Sequence, residues 1–183
     1  MKIMKKLLIF ITVLSLMSCS KKQPESVDNN LISNPSFEDA NGFSFQDWNG
    51  ALTSSSTDTP SNGGSYALQI KPAGLQLEPP HEGYAETLVT GLQGAITLHF
   101  SCDVKVNSTS LIPGYIRILK ENQNGVRTEI SNINFNNTQW QNISFNINTV
   151  LDQTGSLVIH FSAGANELSG LGTILFDNVT LTN

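Results

Sequence analysis

Two acidic residues near opposite ends of this 183-residue chain carry its sharpest chemical signal. Glu38 closes the segment Asn30-Leu31-Ile32-Ser33-Asn34-Pro35-Ser36-Phe37-Glu38, and Asp177 lies within Ile174-Leu175-Phe176-Asp177-Asn178-Val179-Thr180-Leu181. Residues two apart in an extended strand share a face, so Leu175, Asp177, Val179 and Leu181 are expected on one apolar side. A carboxylate buried there without a partner is very costly. A cation shared with Glu38, with Asp39 as a reserve ligand, would neutralise it and bring the two ends of the domain together. The alternative partners for Asp177 are backbone N–H groups or a turn serine.

A second group of residues has the chemistry of saccharide recognition, which wants aromatic faces for apolar sugar surface and planar polar groups for hydroxyls. Tyr84 and Glu86 share a strand face opposite Ala85, Thr87 and Val89. Tyr115 and Arg117 share one opposite Ile116 and Ile118, and His99 lies on the wet face of its own strand. If these strands are neighbours, Tyr84, Glu86, His99, Tyr115 and Arg117 line one groove. If not, they form a solvated face with an ordinary Glu–Arg pair of little energetic value. The stiff loop Pro79-Pro80-His81-Glu82-Gly83-Tyr84 is a second candidate surface. Trp48 and Trp140 stand beside strand starts and are expected to pack in the core.

The elements that must position these groups are strands. Ile96, Leu98, Phe100, Cys102 and Val104 alternate with Thr97, His99, Ser101, Asp103 and Lys105, which predicts a strand with one dry and one wet face. The same alternation runs through Tyr66–Ile70, Tyr115–Leu119, Ile143–Ile147, Leu157–Phe161 and the last strand from Thr173 to Leu181. Turn signals such as Asn62-Gly63-Gly64, Pro113-Gly114 and Asn124-Gly125 separate these runs, and the last suggests a tight hairpin. Many short strands at regular spacing, with no convincing helix, predict an all-β antiparallel sandwich.

The first residues read as targeting rather than fold. A cationic start, Met1 to Lys6, precedes the apolar stretch Leu7 to Met17, which is too short to span a membrane. Leu16-Met17-Ser18-Cys19 resembles a bacterial lipobox, so residues 1–19 are expected to be a lipoprotein signal whose Cys19 is lipidated. That would anchor the protein to the bacterial cell envelope, at the outer membrane or cell surface, without spanning it. Residues 20–29 are expected to form a flexible polar tether. Residues 30–183 suit one domain with a real core. Only Cys102 remains within it, so no intramolecular disulfide is available there. The cations beyond the tether are Lys71, Lys105, Arg117, Lys120 and Arg127, outnumbered by Asp and Glu and without the clustering that nucleic-acid phosphates require.

The Asn30–Glu38 opening is followed by Trp48, by Gly63-Gly64-Ser65-Tyr66-Ala67-Leu68-Gln69-Ile70, by Gly94-Ala95-Ile96-Thr97-Leu98-His99-Phe100, by Thr138–Phe145 around Trp140, and by Phe176-Asp177-Asn178-Val179. In this order the set resembles carbohydrate-binding modules of families 4 and 9 (CenC-like), within the galactose-binding-like jelly rolls. The resemblance covers nearly all of the domain. One departure is the absence of an aromatic residue at Ile96-Thr97-Leu98. The resemblance implies a non-catalytic jelly-roll sandwich that binds a poly- or oligosaccharide. It also implies a structural calcium, with Glu38 and Asp177 matching the acidic ligands and the loop around Ser65 supplying carbonyls.

Catalytic signatures are sparse. The pairs Glu82/Glu86 and Glu38/Asp39 lack a recognisable glycosidase context. His81-Glu82 lacks the second histidine of a helical zinc motif, and no Gly-x-Ser-x-Gly elbow occurs. His81, His99 and His160 have no zinc-ligand spacing. Binding without catalysis is therefore expected. The alternatives are an adhesive surface lipoprotein with a protein partner, and a small jelly-roll glycan lyase or hydrolase.

Overall fold

Period-two alternation becomes two stacked antiparallel sheets in the computed structural model, which describes residues 29–41, 44–72, 83–107, 113–152, 155–164 and 172–183. The strands are β1 (Ala40–Asn41), β2 (Ser44–Phe45), β3 (Asn49–Ala51), β4 (Thr53–Ser56), β5 (Ala67–Ile70), β6 (Gly83–Val89), β7 (Gly94–Asn107), β8 (Gly114–Glu121), β9 (Arg127–Phe135), β10 (Gln141–Leu151), β11 (Ser156–Ala163) and β12 (Thr173–Thr182). One sheet has the order β10-β7-β12-β5-β4 and the other β3-β6-β11-β8-β9; β1 and β2 form a separate ribbon. No helix occurs among the described residues. The expected all-β sandwich is the observed fold.

The core lies between the sheets. Leu98, Phe100, Cys102, Val104 and Val106 of β7 face Ile116 and Ile118 of β8 and Leu157, Ile159 and Phe161 of β11 within one apolar cluster. Phe161 stacks on Phe176 with centroids 4.2 Å apart, and Trp48 stacks on Phe161 at 5.1 Å. The β8–β9 hairpin has a five-residue connection, 122–126, held by Gly125 N–H donating to the Asn122 carbonyl. Gly125 takes φ +74°, the left-handed conformation that makes glycine suited to such a turn. Trp140 departs from expectation: it is half-buried outside the core, and its Nε1–H donates to Asp58 Oδ1 at 3.0 Å. Tyr66 also departs, lying just before β5 and 40% exposed. The targeting segment with Cys19 and the Pro79–Glu82 part of the stiff loop fall outside the described residues.

The chain ends meet. Leu31 N–H donates to the Leu181 carbonyl and Val179 N–H to the Pro35 carbonyl, each at 2.8 Å. Asn30 adds two more ties, its Nδ2 to the Val179 carbonyl and its Oδ1 from Leu181 N–H. The opening segment thus lies along the second half of β12.

That strand does not keep one parity. Ile174 and Phe176 pair with Val106 and Val104 and face the core, whereas Leu175 and Asp177 pair with Lys105 and Asp103 on the outer side. A bulge follows between Asp177 and Thr180, with Asn178 at φ +49°. Beyond it Val179 and Leu181 are the core-facing residues. The expected single face of Leu175, Asp177, Val179 and Leu181 is therefore corrected. One inserted residue flips the alternation, and Asp177 sits on the outer side, buried by loops rather than by the core.

Candidate functional site

Two regions gather chemistry-bearing side chains. The first is the closure between the chain ends. Phe37, fully buried against Phe45 and Trp48, anchors the opening turn and projects its neighbour Glu38 outward. Glu38 Oε1 accepts from Tyr66 N–H at 2.9 Å. The loop through Gly63 and Gly64 passes between the two acids. A Cβ at Gly63 would stand 2.5 Å from Asp177 Oδ2, and one at Gly64 would collide with the Glu38 carboxylate. Close approach explains glycine at both positions, and neither has a positive φ.

The electrostatics of this closure are unbalanced. Asp177 Oδ1 accepts from Asn178 N–H at 2.7 Å, but its buried Oδ2 has no hydrogen-bond partner. Burial first, then the charges of Glu38 and Asp103, push its pKa up to about 7 against the opposing hydrogen bond from Asn178. Asp103 is itself satisfied by the side-chain amides of Asn142 and Asn178. An orphaned carboxylate oxygen facing a second carboxylate and a loop rich in carbonyls fits a hard cation such as calcium, which takes carboxylate, carbonyl and water oxygens together. Glu38 and Asp177 would supply charge, with carbonyls of the 62–66 loop around Ser65 beside them. No group of three or more His, Cys, Asp or Glu suited to a metal occurs among the described residues, so nitrogen- and sulfur-rich zinc chemistry finds no support in them. An open cleft of about 890 Å³ adjoins the closure, lined by Ser36, Glu38, Gly64, Ser65 and Thr180 among others.

The second region is the outer face of the sheet β3-β6-β11-β8-β9. Register aligns one residue from each strand in a row across it: Asn49, Glu86, His160, Arg117 and Asn132. Two residues along each strand runs a second row, Ala51, Tyr84, Ser162, Tyr115 and Asn134. Four of the five residues expected to share a groove are thus brought together, with β11 between the Tyr84–Glu86 and Tyr115–Arg117 pairs. His99 is not. It lies on β7 in the opposite sheet, where it pairs with Asn146 at 3.0 Å, so its place in the groove is corrected. The alternation gave its strand a wet face but could not say which sheet that face belonged to.

His160 and Arg127 were not legible as site residues, although His160 lay on the wet side of its strand. His160 stacks on Tyr84 with centroids 5.4 Å apart at 10°, and its Nδ1 lies 3.1 Å from Glu86 Oε2. A glutamate that only accepts fixes Nδ1 as the protonated nitrogen. Arg127 reaches the same Glu86 with both terminal nitrogens, at 2.9 and 3.0 Å, and donates Nε–H to Glu121 at 2.6 Å. The Arg127 guanidinium and His160 lower the Glu86 pKa in spite of the opposing burial, which is the largest influence. Arg117 lies over the Tyr115 ring at 5.5 Å.

Arg127 stands on β9 and Glu86 on β6, three strand spacings away, so their contact spans β8 and β11 on the outer side of the sheet.

Among the described residues, the groups of this face do not form a hydrogen-bonded catalytic triad. Ser162, His160 and Glu86 are the right types for a nucleophile, base and orienting acid, but Ser162 Oγ and His160 Nε2 are buried and each lacks a hydrogen-bond partner. The nucleophile–base bond that activates serine is therefore missing. Glu86 is paired with Arg127 and its carboxyl pKa is lowered, whereas a glycosidase acid needs a raised pKa.

The family model for the carbohydrate binding domain CBM_4_9 matches residues 29–167, and the chain belongs to that family. Similar solved structures include carbohydrate-binding modules and also larger chains, such as the enzymatically active domain of a bacteriophage CBA120 tailspike protein, 13% identical over 84% of this chain and 21% of that one, with a TM-score of 0.59. Among the modules, one is a family 16 carbohydrate binding module, 16% identical over 84% of this chain and 100% of that one, with a TM-score of 0.55. Another is the CBM22-1 xylan-binding domain of Paenibacillus barcinonensis Xyn10C, 14% identical over 84% and 94%, TM-score 0.55. A third is TmCBM61 in complex with beta-1,4-galactotriose, 14% identical over 84% and 98%, TM-score 0.53. At these identities the likeness is one of fold, the jelly-roll sandwich. No curated protein matches the chain.

Proposed function

We propose that this protein is a non-catalytic carbohydrate-binding lipoprotein that holds a neutral poly- or oligosaccharide on the outer face of the β3-β6-β11-β8-β9 sheet. The carrying observation is the row Asn49–Glu86–His160–Arg117–Asn132 beside the Tyr84–Ser162–Tyr115 row. It sets planar hydrogen-bonding groups next to two half-buried aromatic rings. Membership of a carbohydrate binding domain family supports the same reading. The guanidinium of Arg127 is already committed to carboxylates, which favours an uncharged ligand. We assign a structural calcium to Glu38 and Asp177, supported by the unpartnered Asp177 Oδ2. Residues 1–19, with the lipobox cysteine Cys19, would anchor the protein at the bacterial cell envelope, residues 20–29 would tether it, and residues 30–183 would form the binding module.

The test is a glycan array on residues 30–183, run in calcium and in chelator, with soluble xylan and beta-1,4-galactotriose included. Binding that weakens with Tyr84→Ala and Tyr115→Ala is expected. Absence of binding to every glycan, together with capture of a defined protein partner, would replace this reading with the adhesive one. Release of reducing or unsaturated sugars would replace it with an enzyme.

A further inference from the structure

The groove carries a contact that a binding surface does not need. Arg127 is the outermost member of its network. Its side chain is 39% exposed, over a Glu86 that is 18% and a His160 that is 14% exposed. All three hydrogen-bonding nitrogens of its guanidinium group are engaged, two by Glu86 from β6 and one by Glu121 from β8. The bonds therefore tie three strands of the sheet, β9, β8 and β6, across the intervening β11. On β11, where His160 is in register with Glu86 and Ser162 follows two residues on, the floor is left incomplete. His160 Nε2 and Ser162 Oγ are both buried and both without a hydrogen-bond partner. A sealed polar atom without a partner is a standing cost of the closed arrangement, and that cost disappears once water or a hydroxylated ligand reaches it.

We propose that Arg127 is a strap that holds the groove closed, and that a saccharide reaches His160 only when the strap lifts. This rests on the reading of the face as a glycan groove. In the open form His160, with Nδ1–H fixed on Glu86, presents Nε2 as an acceptor for a ligand hydroxyl. Apparent affinity is then reduced by the fraction of molecules that are closed. Because the ties are partly exposed ion pairs, salt weakens them, so a neutral glycan should bind more tightly as ionic strength rises.

The charged and titratable groups around His160 are Glu86 on β6, Arg117 and Glu121 on β8, Arg127 on β9, and the Tyr84 ring stacked on it. Accessibility can be read on the protein alone through modification of histidine by diethylpyrocarbonate. Exposed His99 in the opposite sheet serves as internal reference. In the wild type His160 should react more slowly than His99. In Arg127→Gln it should react roughly three- to ten-fold faster than in the wild type, the factor expected from losing a small exposed ion-pair network. High salt should accelerate the wild type and leave Arg127→Gln unchanged. Glu121→Gln, which removes one tie, should fall between them and serves if Arg127→Gln folds poorly. A His160 rate that is unchanged in these variants overturns the strap.

Titration with soluble xylan and beta-1,4-galactotriose separates the two ideas. Tighter binding by Arg127→Gln supports the strap. Weaker binding by that variant overturns it and makes Arg127 a ligand contact. If His160 opens as expected yet neither glycan binds either protein, the strap stands and the glycan reading falls.

Discussion

The closure at Glu38 and Asp177 and the groove at Glu86 and Glu121 both gather two carboxylates from distant parts of the chain, but only the groove brings its own cation. Arg127 bridges Glu86 and Glu121 directly, and the Glu86 carboxyl is held below its ordinary range. At the closure no lysine or arginine stands against Asp177 among the described residues, one carboxylate oxygen goes unpartnered, and the pKa rises to about 7. The fold is the same and the residue chemistry the same; the supply of positive charge separates them. A self-neutralised acid pair can shape a surface, whereas an acid pair without a counter-charge leaves a buried carboxylate oxygen unpartnered.

The largest effect that would break this contrast is the removal of the calcium proposed at the closure. At a calcium concentration one hundred times its Kd, binding only to the folded state adds about 2.7 kcal/mol. Chelator should therefore lower Tm by several degrees in a calorimetric scan, and an unchanged melt would abolish the distinction between the two regions. Asp177→Asn should act with opposite sign in the two conditions, by roughly 1–3 kcal/mol. In chelator the variant should melt above the wild type, because a buried charge is gone. In calcium it should melt below, because a ligand is gone.

A smaller effect should dissociate the regions functionally. Tyr84→Ala should weaken glycan binding by about 1 kcal/mol while leaving the calcium dependence of melting intact. Glu38→Gln should abolish that dependence and leave glycan binding nearly unchanged when measured well below Tm. Loss of both properties in either variant would join what is here separated. The smallest effect is on pH. Glu86 has a folded pKa below its unfolded value, so its contribution is present at neutral pH and is lost as pH falls below about 4. The stability difference between wild type and Glu86→Gln, at most about 1 kcal/mol for such a pair, should accordingly vanish in acid. A difference that persists at pH 3 would remove the ion pair as its origin.

Legibility followed the range of the interaction. The alternation in β7 named its buried residues, since Leu98, Phe100, Cys102 and Val104 are all in the core. Asp177 stood out because a charge in an apolar strand is a local anomaly, whereas Glu38 was matched to it through the family resemblance of the opening segment. The bulge at Asn178 was not visible, because an asparagine can continue a strand or leave it, and only pairing with β7 and with Pro35 selects the left-handed turn. Tyr84, Glu86, Tyr115 and Arg117 were readable as wet-face residues. Their convergence, and the exclusion of His99, needed the strand order. Arg127 lay hidden because it follows a turn and reaches its partner across two strands.

Sequence alone determined the strand periodicity and the class of sandwich, since these depend on neighbours one or two residues apart. Tertiary structure decided which wet faces coincide, which way Asp177 points, and that Arg127 reaches Glu86 across two strands. Sheet order and bulges arise from pairings between residues tens of positions apart, and no local pattern encodes them.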